Sequence, residues 1–134
     1  AFGAPLVTGW LSDRLGLRRI LFSVVLASGV ATLLLVAAPA DWIGGGLILQ
    51  AVSSVCFFPL GFAVLSRITR KENRNVAVAL VIPFAHLLGA GLIPVVIGIA
   101  GDAVSFDWGF LLLGGLTLAG LFLIRFLESD RAGV

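Results

Sequence analysis

Gly9-Trp10-Leu11-Ser12-Asp13-Arg14-Leu15-Gly16-Leu17-Arg18-Arg19 gathers one acid, three arginines and two glycines into eleven residues of a chain that is 60% hydrophobic. Charges this dense are costly in hydrocarbon, so the stretch reads as a short turn on one face of a membrane. C-terminal to it lie four long apolar segments, and the turn sets their order. N-terminal to it, Ala1 to Thr8 is apolar but far too short to cross a bilayer, which takes about 20 residues. It reads as the end of a helix that starts earlier. The sequence contains no methionine, and the expectation is a fragment of a longer membrane protein. A cleaved signal peptide fits poorly, because the basic turn follows directly and no small-residue cleavage site precedes a polar region.

Composition agrees. Of the 134 residues 12% are charged, about half the share of a soluble domain, and the mean hydropathy is +1.16. Seventeen glycines suit membrane helices, where glycine is more frequent than in soluble ones. The single cysteine, Cys56, lies in an apolar run and excludes an intrachain disulfide. No run alternates with period two over about 10 residues, which argues against a β-barrel. The expected fold is therefore all-α, a polytopic bundle of four full transmembrane helices plus the end of a fifth, with spans at about 1–8 (truncated), 20–40, 42–65, 76–100 and 108–127.

The first full span, Ile20 to Ala40, carries no charge, and as a helix it is about 31 Å long, enough for a hydrocarbon core of about 30 Å. Ser23, Ala27 and Ala31 recur every four residues and offer one small-residue face for close helix approach; ordinary composition explains them equally well. Pro39-Ala40-Asp41 makes a short turn, and Trp42 suits an interfacial anchor at the head of the second span. Gly44, Gly45 and Gly46 make that head permissive. Pro59 removes a backbone hydrogen bond further along and is expected to bend the helix. Gln50, Ser54 and Phe57 fall on one stripe by the i, i+4, i+7 rule.

Ser66 to Asn75 is hydrophilic, with four cations and one acid, and Asn73 or Asn75 is placed to cap the helix that follows. The third span holds Pro83, Pro94, Gly89, Gly91, Gly98 and the only histidine, His86. These predict a bent, locally loosened helix. Gly101 to Asp107 is an acidic turn. The last span is apolar throughout, with Gly114, Gly115 and Gly120 available for packing, and ends in Arg125, Glu128, Asp130 and Arg131.

The cations give the sharpest inference. With four spans assigned, the nine basic residues all fall on one side: Arg14, Arg18 and Arg19, then Arg67, Arg70, Lys71 and Arg74, then Arg125 and Arg131. The two opposite turns carry Asp41, Asp102 and Asp107. The positive-inside rule puts the loops 9–19 and 66–75 and the C-terminal tail in the cytoplasm, which makes this an integral protein of a cell (plasma or inner) membrane with the lipid bilayer as its partner.

Gly9-x-x-x-Asp13-Arg14-x-Gly16-x-Arg18-Arg19 resembles the cytoplasmic loop signature of the major facilitator superfamily of transporters, G-x-x-x-[DE]-[RK]-x-G-[RKx]-[RK]-[RK], with every fixed position matched and Leu17 where the family varies. The physical reading runs beside it. Gly9 permits close packing of a helix end, Gly16 supplies backbone freedom for a reversal, Asp13 is an anion able to face a helix N-terminus, and the arginines hold the loop to an anionic lipid surface. The resemblance implies that Asp13 belongs to a latch on the cytoplasmic side. It also implies that the chain is half of the family's fold, its partners being the missing helices of the same transporter and a small-molecule substrate.

The family carries this loop after its second and its eighth helix. The short charged tail, and Pro94 to Asp102 followed by Phe106, Trp108 and Phe110, favour the C-terminal half; the quality of the loop match suits the N-terminal copy. The family's antiporter signature has glycine directly before proline. Here Ile93 precedes Pro94, so exchange is not implied over uniport or symport.

Alternating access around a midplane site would make the second span cavity-lining and the third a gating helix. Gln50, Ser54 and Phe57 then face substrate, or else neighbouring helices. His86 is either a proton-coupling group or a hydrogen-bonded packing residue. No Asp, Glu, Lys or Arg lies deep in a span. Enzyme readings fare badly, since no nucleophile–base pair, metal-ligand spacing or phosphate loop occurs and no cofactor is implied. The distribution of the arginines excludes nucleic acid. The alternative from another class is a self-contained four-helix membrane subunit or small oligomeric exporter. The small multidrug exporters, however, carry a glutamate in their first span, and 20–40 has no acid.

Overall fold

The computed structural model describes residues 3–126; the expected tail charges Glu128, Asp130 and Arg131, the first two residues and the end of the last span at 127 lie outside them. The described chain is helical from end to end. Helix α1 spans Gly3–Leu15, α2 Leu17–Ala37 and α3 Ala40–Ile68; a 3-10 turn, Lys71–Asn73, leads into α4, Arg74–His86. A π-helical segment, Leu87–Leu92, joins α4 to α5, Ile93–Ala103, and α6 is Phe106–Ile124. Among the described residues four stretches are long and apolar enough to cross a membrane: Leu17–Ala37, Ala40–Ile68, Lys71–Ala103 and Phe106–Ile124. The chain is thus an all-α, polytopic membrane protein. Trp42, Phe84 and Leu123 stand largely exposed, as side chains do where the solvent is hydrocarbon and backbone polarity is satisfied inside helices.

The basic stretch that reads as a turn is almost wholly helical, a correction to the expected loop 9–19. Gly9 to Leu15 continue α1, Leu17 to Arg19 begin α2, and Gly16 alone lies between them. Gly16 has φ 95°, the only positive φ among the described residues. Its N–H donates to Ser12 O (3.1 Å), which closes α1, while its carbonyl accepts from the N–H groups of Arg19 (3.2 Å) and Ile20 (3.3 Å), which opens α2. A side chain at that φ would crowd the backbone, so glycine is required. Gly9 departs from expectation. A Cβ there would meet nothing within 4 Å among the described residues, so no close packing depends on it.

Helix α2 is the centre of the bundle, packed by α3 on one side and α6 on the other; α1 lies against the α2–α3 pair, and α5 lies against α6. At the end of the bundle that carries the basic residues, the core is Leu17, Ile20, Leu21 and Val25 from α2 with Leu60 of α3 and Ile124 of α6. Further along, α2 and α6 meet at two glycines. A Cβ on Gly29 would lie 2.6 Å from Leu118 Cδ2, and one on Gly114 would lie 2.6 Å from Leu33 Cδ2 and 3.4 Å from Gly29 O. Small residues let helices approach this closely in lipid, where van der Waals packing drives association. The face used against α6 thus includes Gly29, which lies off the expected Ser23, Ala27 and Ala31 stripe. Ala31 is buried, but Ser23 is exposed and its hydroxyl turns back to Arg19 O (3.0 Å).

The third span behaves differently. Its α4 half meets the rest only lightly, at α3, whereas α5 packs on α6. Between them Ile93 N–H donates to Leu88 O, five residues back, which makes the segment π-helical. Pro83 lies inside α4 and Pro94 in the first turn of α5. Pro94 has no N–H to offer the carbonyl four residues earlier, and Gly89 and Gly91 loosen the intervening backbone, so the wider helix settles there. Pro59, by contrast, sits inside an unbroken α3. Asn73 occupies the N-cap of α4 without a side-chain cap hydrogen bond, and Asn75 lies within the helix, so neither caps it as expected. The connection is tied instead by Arg74 Nη2, which donates to Ser66 O at 2.9 Å.

Candidate functional site: a basic joint and an intramembrane crevice

At the Gly16 joint one arginine suits the helix dipole and two oppose it. Arg14, in the last turn of α1, suits that end of the helix dipole. Arg18 and Arg19 occupy the first turn of α2, which has no acid, and there the dipole opposes them by about 0.3–1 kcal/mol each. Cations held against the dipole at a membrane face are placed for the headgroup region or for a partner segment. The guanidinium of Arg14 stacks over the Trp10 ring at 4.3 Å from its centroid, an i, i+4 pair that aims the cation along the helix surface. Asp13 is exposed beside it in the same turn.

Deeper in the bundle, α2, α3 and α6 leave a crevice of about 370 Å³ whose lining includes Ser28, Ser53, Ser54, Phe57, Leu116, Thr117 and Gly120. Two of the residues expected on the α3 stripe, Ser54 and Phe57, line it, and the third, Gln50, is bound to the lining. Gln50 Oε1 accepts from Ser28 Oγ of α2 at 3.0 Å, and Ser54 Oγ, which shares its one proton between Gln50 O and this oxygen, lies 3.3 Å from it. That Ser28–Gln50 bond crosses between helices. The other hydroxyls return to their own helices: Ser53 Oγ to Leu49 O (2.8 Å), Ser54 Oγ to Gln50 O (2.9 Å) and Thr117 Oγ1 to Leu113 O (2.8 Å). Such back-bonding satisfies a hydroxyl in lipid without a partner helix. Among the described residues the crevice lining carries no charged side chain.

His86 is not brought to this site. It is exposed at the end of α4, with Nδ1 3.3 Å from Ile82 O. Pro59 is half-buried in α3, and Pro83 and Pro94 are exposed on the third span. Ser28, Ser53 and Thr117 were not singled out by sequence reasoning. Ser28 lies about one turn beyond Val24 and Val25 on the side of α2 that faces α3, a side that only the fold identifies. Thr117 is the lone hydroxyl of α6, and only the fold shows that it lines the same crevice as Ser28. Among the described residues no three His, Cys, Asp or Glu side chains gather as a metal site would need.

No curated protein and no solved structure matches the chain. The family model described as Major Facilitator Superfamily matches residues 1–133. That match runs over almost the whole sequence and agrees with the four spanning helices and the glycine-jointed basic pair, so the chain belongs to the Major Facilitator Superfamily of membrane transporters.

Proposed function

We propose that the chain is part of a secondary transporter, the C-terminal half from its eighth helix onward, which moves a small solute by alternating access. In this reading α1 is the end of the eighth helix and α6 the twelfth, and the remaining helices belong to the same polypeptide. The reading is carried by one observation: Gly16, at φ 95°, is the only residue separating Asp13-Arg14 on one helix from Arg18-Arg19 on the next. A joint this short holds the acid and the three arginines of the loop pattern in fixed relation, as a latch requires. The basic ends of the helices face the cytoplasm of a cell (plasma or inner) membrane, following the positive-inside rule. Within the membrane, Gln50, Ser54 and Phe57 face the solute path, α3 lines it, and the third span, interrupted at Leu87–Leu92, gates it. His86, on that gating span, is the candidate proton-coupling group.

The test uses the complete protein in a host lacking background transport, with accumulation of labelled solutes screened to find the substrate. Asp13→Asn should then lower the initial uptake rate at least tenfold at unchanged abundance in the membrane, because it removes the latch charge and little else. Wild-type uptake by that variant would remove the gating role from Asp13. Failure of every solute to accumulate, with the protein folded and inserted, would remove the transport reading itself.

A further inference from the structure

We propose that the third span is a two-register helix: its middle exchanges between the π-helical register of Leu87–Leu92 and an α-helical one, moving α4 and His86 relative to α5. The proposal rests on the gating role given to this span and supplies its moving part. Three features carry it.

The first is the hydrogen bonding. In the π register Ile93 N–H donates to Leu88 O, five residues back. In an α register the same N–H donates to Gly89 O, four residues back. Pro94 has no N–H to donate in either. Passing between the registers therefore moves each N–H to the neighbouring carbonyl and leaves as many N–H groups bonded as before. The π register takes the Ile93 donor away from Gly89 O. The α register presses the Pro94 ring on the Ala90 carbonyl, a clash that the wider π turn relieves. Each register thus carries one penalty that the other lacks.

The second is the backbone. A Cβ on Gly89 or on Gly91 would meet nothing within 4 Å among the described residues, so close packing does not account for glycine there. Glycine weakens a helix interior relative to alanine, and these two put the weak point where the acceptors exchange.

The third is how the two ends are held. Among the described residues α5 packs along α6, whereas α4 meets only α3, and lightly. His86 Nδ1 lies 3.3 Å from Ile82 O, within α4, so the imidazole travels with that helix. The α5 side is the fixed one and the α4 side the moving one. Side-chain tips stand about 5–6 Å from a helix axis, and one residue of added α twist displaces them by roughly 8 Å.

The experiment is pulsed electron–electron distance measurement on the complete protein in lipid nanodiscs, in a background cleared of other cysteines. One spin label sits at Leu112→Cys on α6 and the other at Val81→Cys or Phe84→Cys on α4, all exposed positions. Val81 and Phe84 are three residues apart, so they point about 60° apart around α4. Movement of α4 cannot leave both distances unchanged. Two variants mark the registers. Pro94→Ala restores the missing N–H and removes the ring, which favours the α register. Deleting Ala90 lets Ile93 N–H reach Leu88 O in α geometry, so it holds α4 where the π register has it.

The wild-type protein should show two distances in at least one label pair, the minor one in roughly a tenth of molecules. Pro94→Ala should collapse them to one, and deletion of Ala90 to the other. If Pro94→Ala does not insert, the deletion variant decides in the same way. A single wild-type distance in both pairs overturns the proposal. So do two distances that persist in either variant, since α4 then moves as a rigid body. Because only distances are read, these outcomes stand apart from failure of the transporter reading, which is decided by uptake alone.

Discussion

Gly16 joins two helices with a single residue, and it does so because one carbonyl and one N–H serve both helix ends. Alanine at φ 95° is strained whatever the surrounding space, so Gly16→Ala is expected to cost about 1–2 kcal/mol. A thermal or denaturant melt in detergent, followed by helix circular dichroism, checks this; Gly9→Ala in the same assay should be neutral or slightly stabilising, since it meets open space within a helix. Trp10→Ala should cost less, about 0.5–1 kcal/mol, the worth of an exposed cation–π pair. The two glycines of the motif look alike in sequence. Only the backbone separates them, because a positive φ follows from the need to reverse direction between two apolar segments, whereas close packing depends on which neighbour is opposite. The first is local and legible in the sequence; the second is not.

Among the elements, the α2–α6 crossing decides how the bundle closes. Gly114→Leu should weaken it by about 1–3 kcal/mol, the usual cost of forcing bulk into a packed contact. Gly115→Leu should stay within about 0.5 kcal/mol, because a side chain there enters open space. Comparing the two melts tests the crossing without altering hydrophobicity. The four spans could be read from hydropathy because uncharged stretches of this length have few alternatives in water. Their packing faces could not. In lipid every face of a helix is apolar, so periodicity carries little information and small residues mark several stripes at once. Ser23, Ala27 and Ala31 make one such stripe and Val25 with Gly29 another. What selected the second was Gly114, 85 positions away, a pairing no local pattern reveals. Likewise Gln50, Ser54 and Phe57 shared a visible stripe on α3, but Ser28 and Thr117 joined them only through the fold.

At the scale of the whole molecule, the basic helix ends and the acidic turns make the two membrane faces electrically distinct, and this gives a direct test of sidedness. In a Cys56→Ala background, Lys71→Cys should react with a membrane-impermeant maleimide only after cells are opened, and Asp102→Cys should react in intact cells; the reverse pattern would invert the proposed orientation. Cys56 is buried, so its removal clears the background at small cost. The molecule is also unevenly held together: α2, α3, α6 and α5 pack on one another, while α4 and the π segment reach away from them. That segment has a further consequence. A π turn holds about one residue more than the α-helix it replaces, and each residue of an α-helix turns the chain by about 100°. Leu87–Leu92 therefore stores one residue of angular offset between two rods that hydropathy treats as one. Deleting Ala90 would release it and let the helix run through in α geometry. With α5 still anchored on α6, the Arg74–His86 rod would keep its bearing, whereas the full-length segment forced into α geometry would swing that rod, with His86 and Phe84, by about a quarter turn.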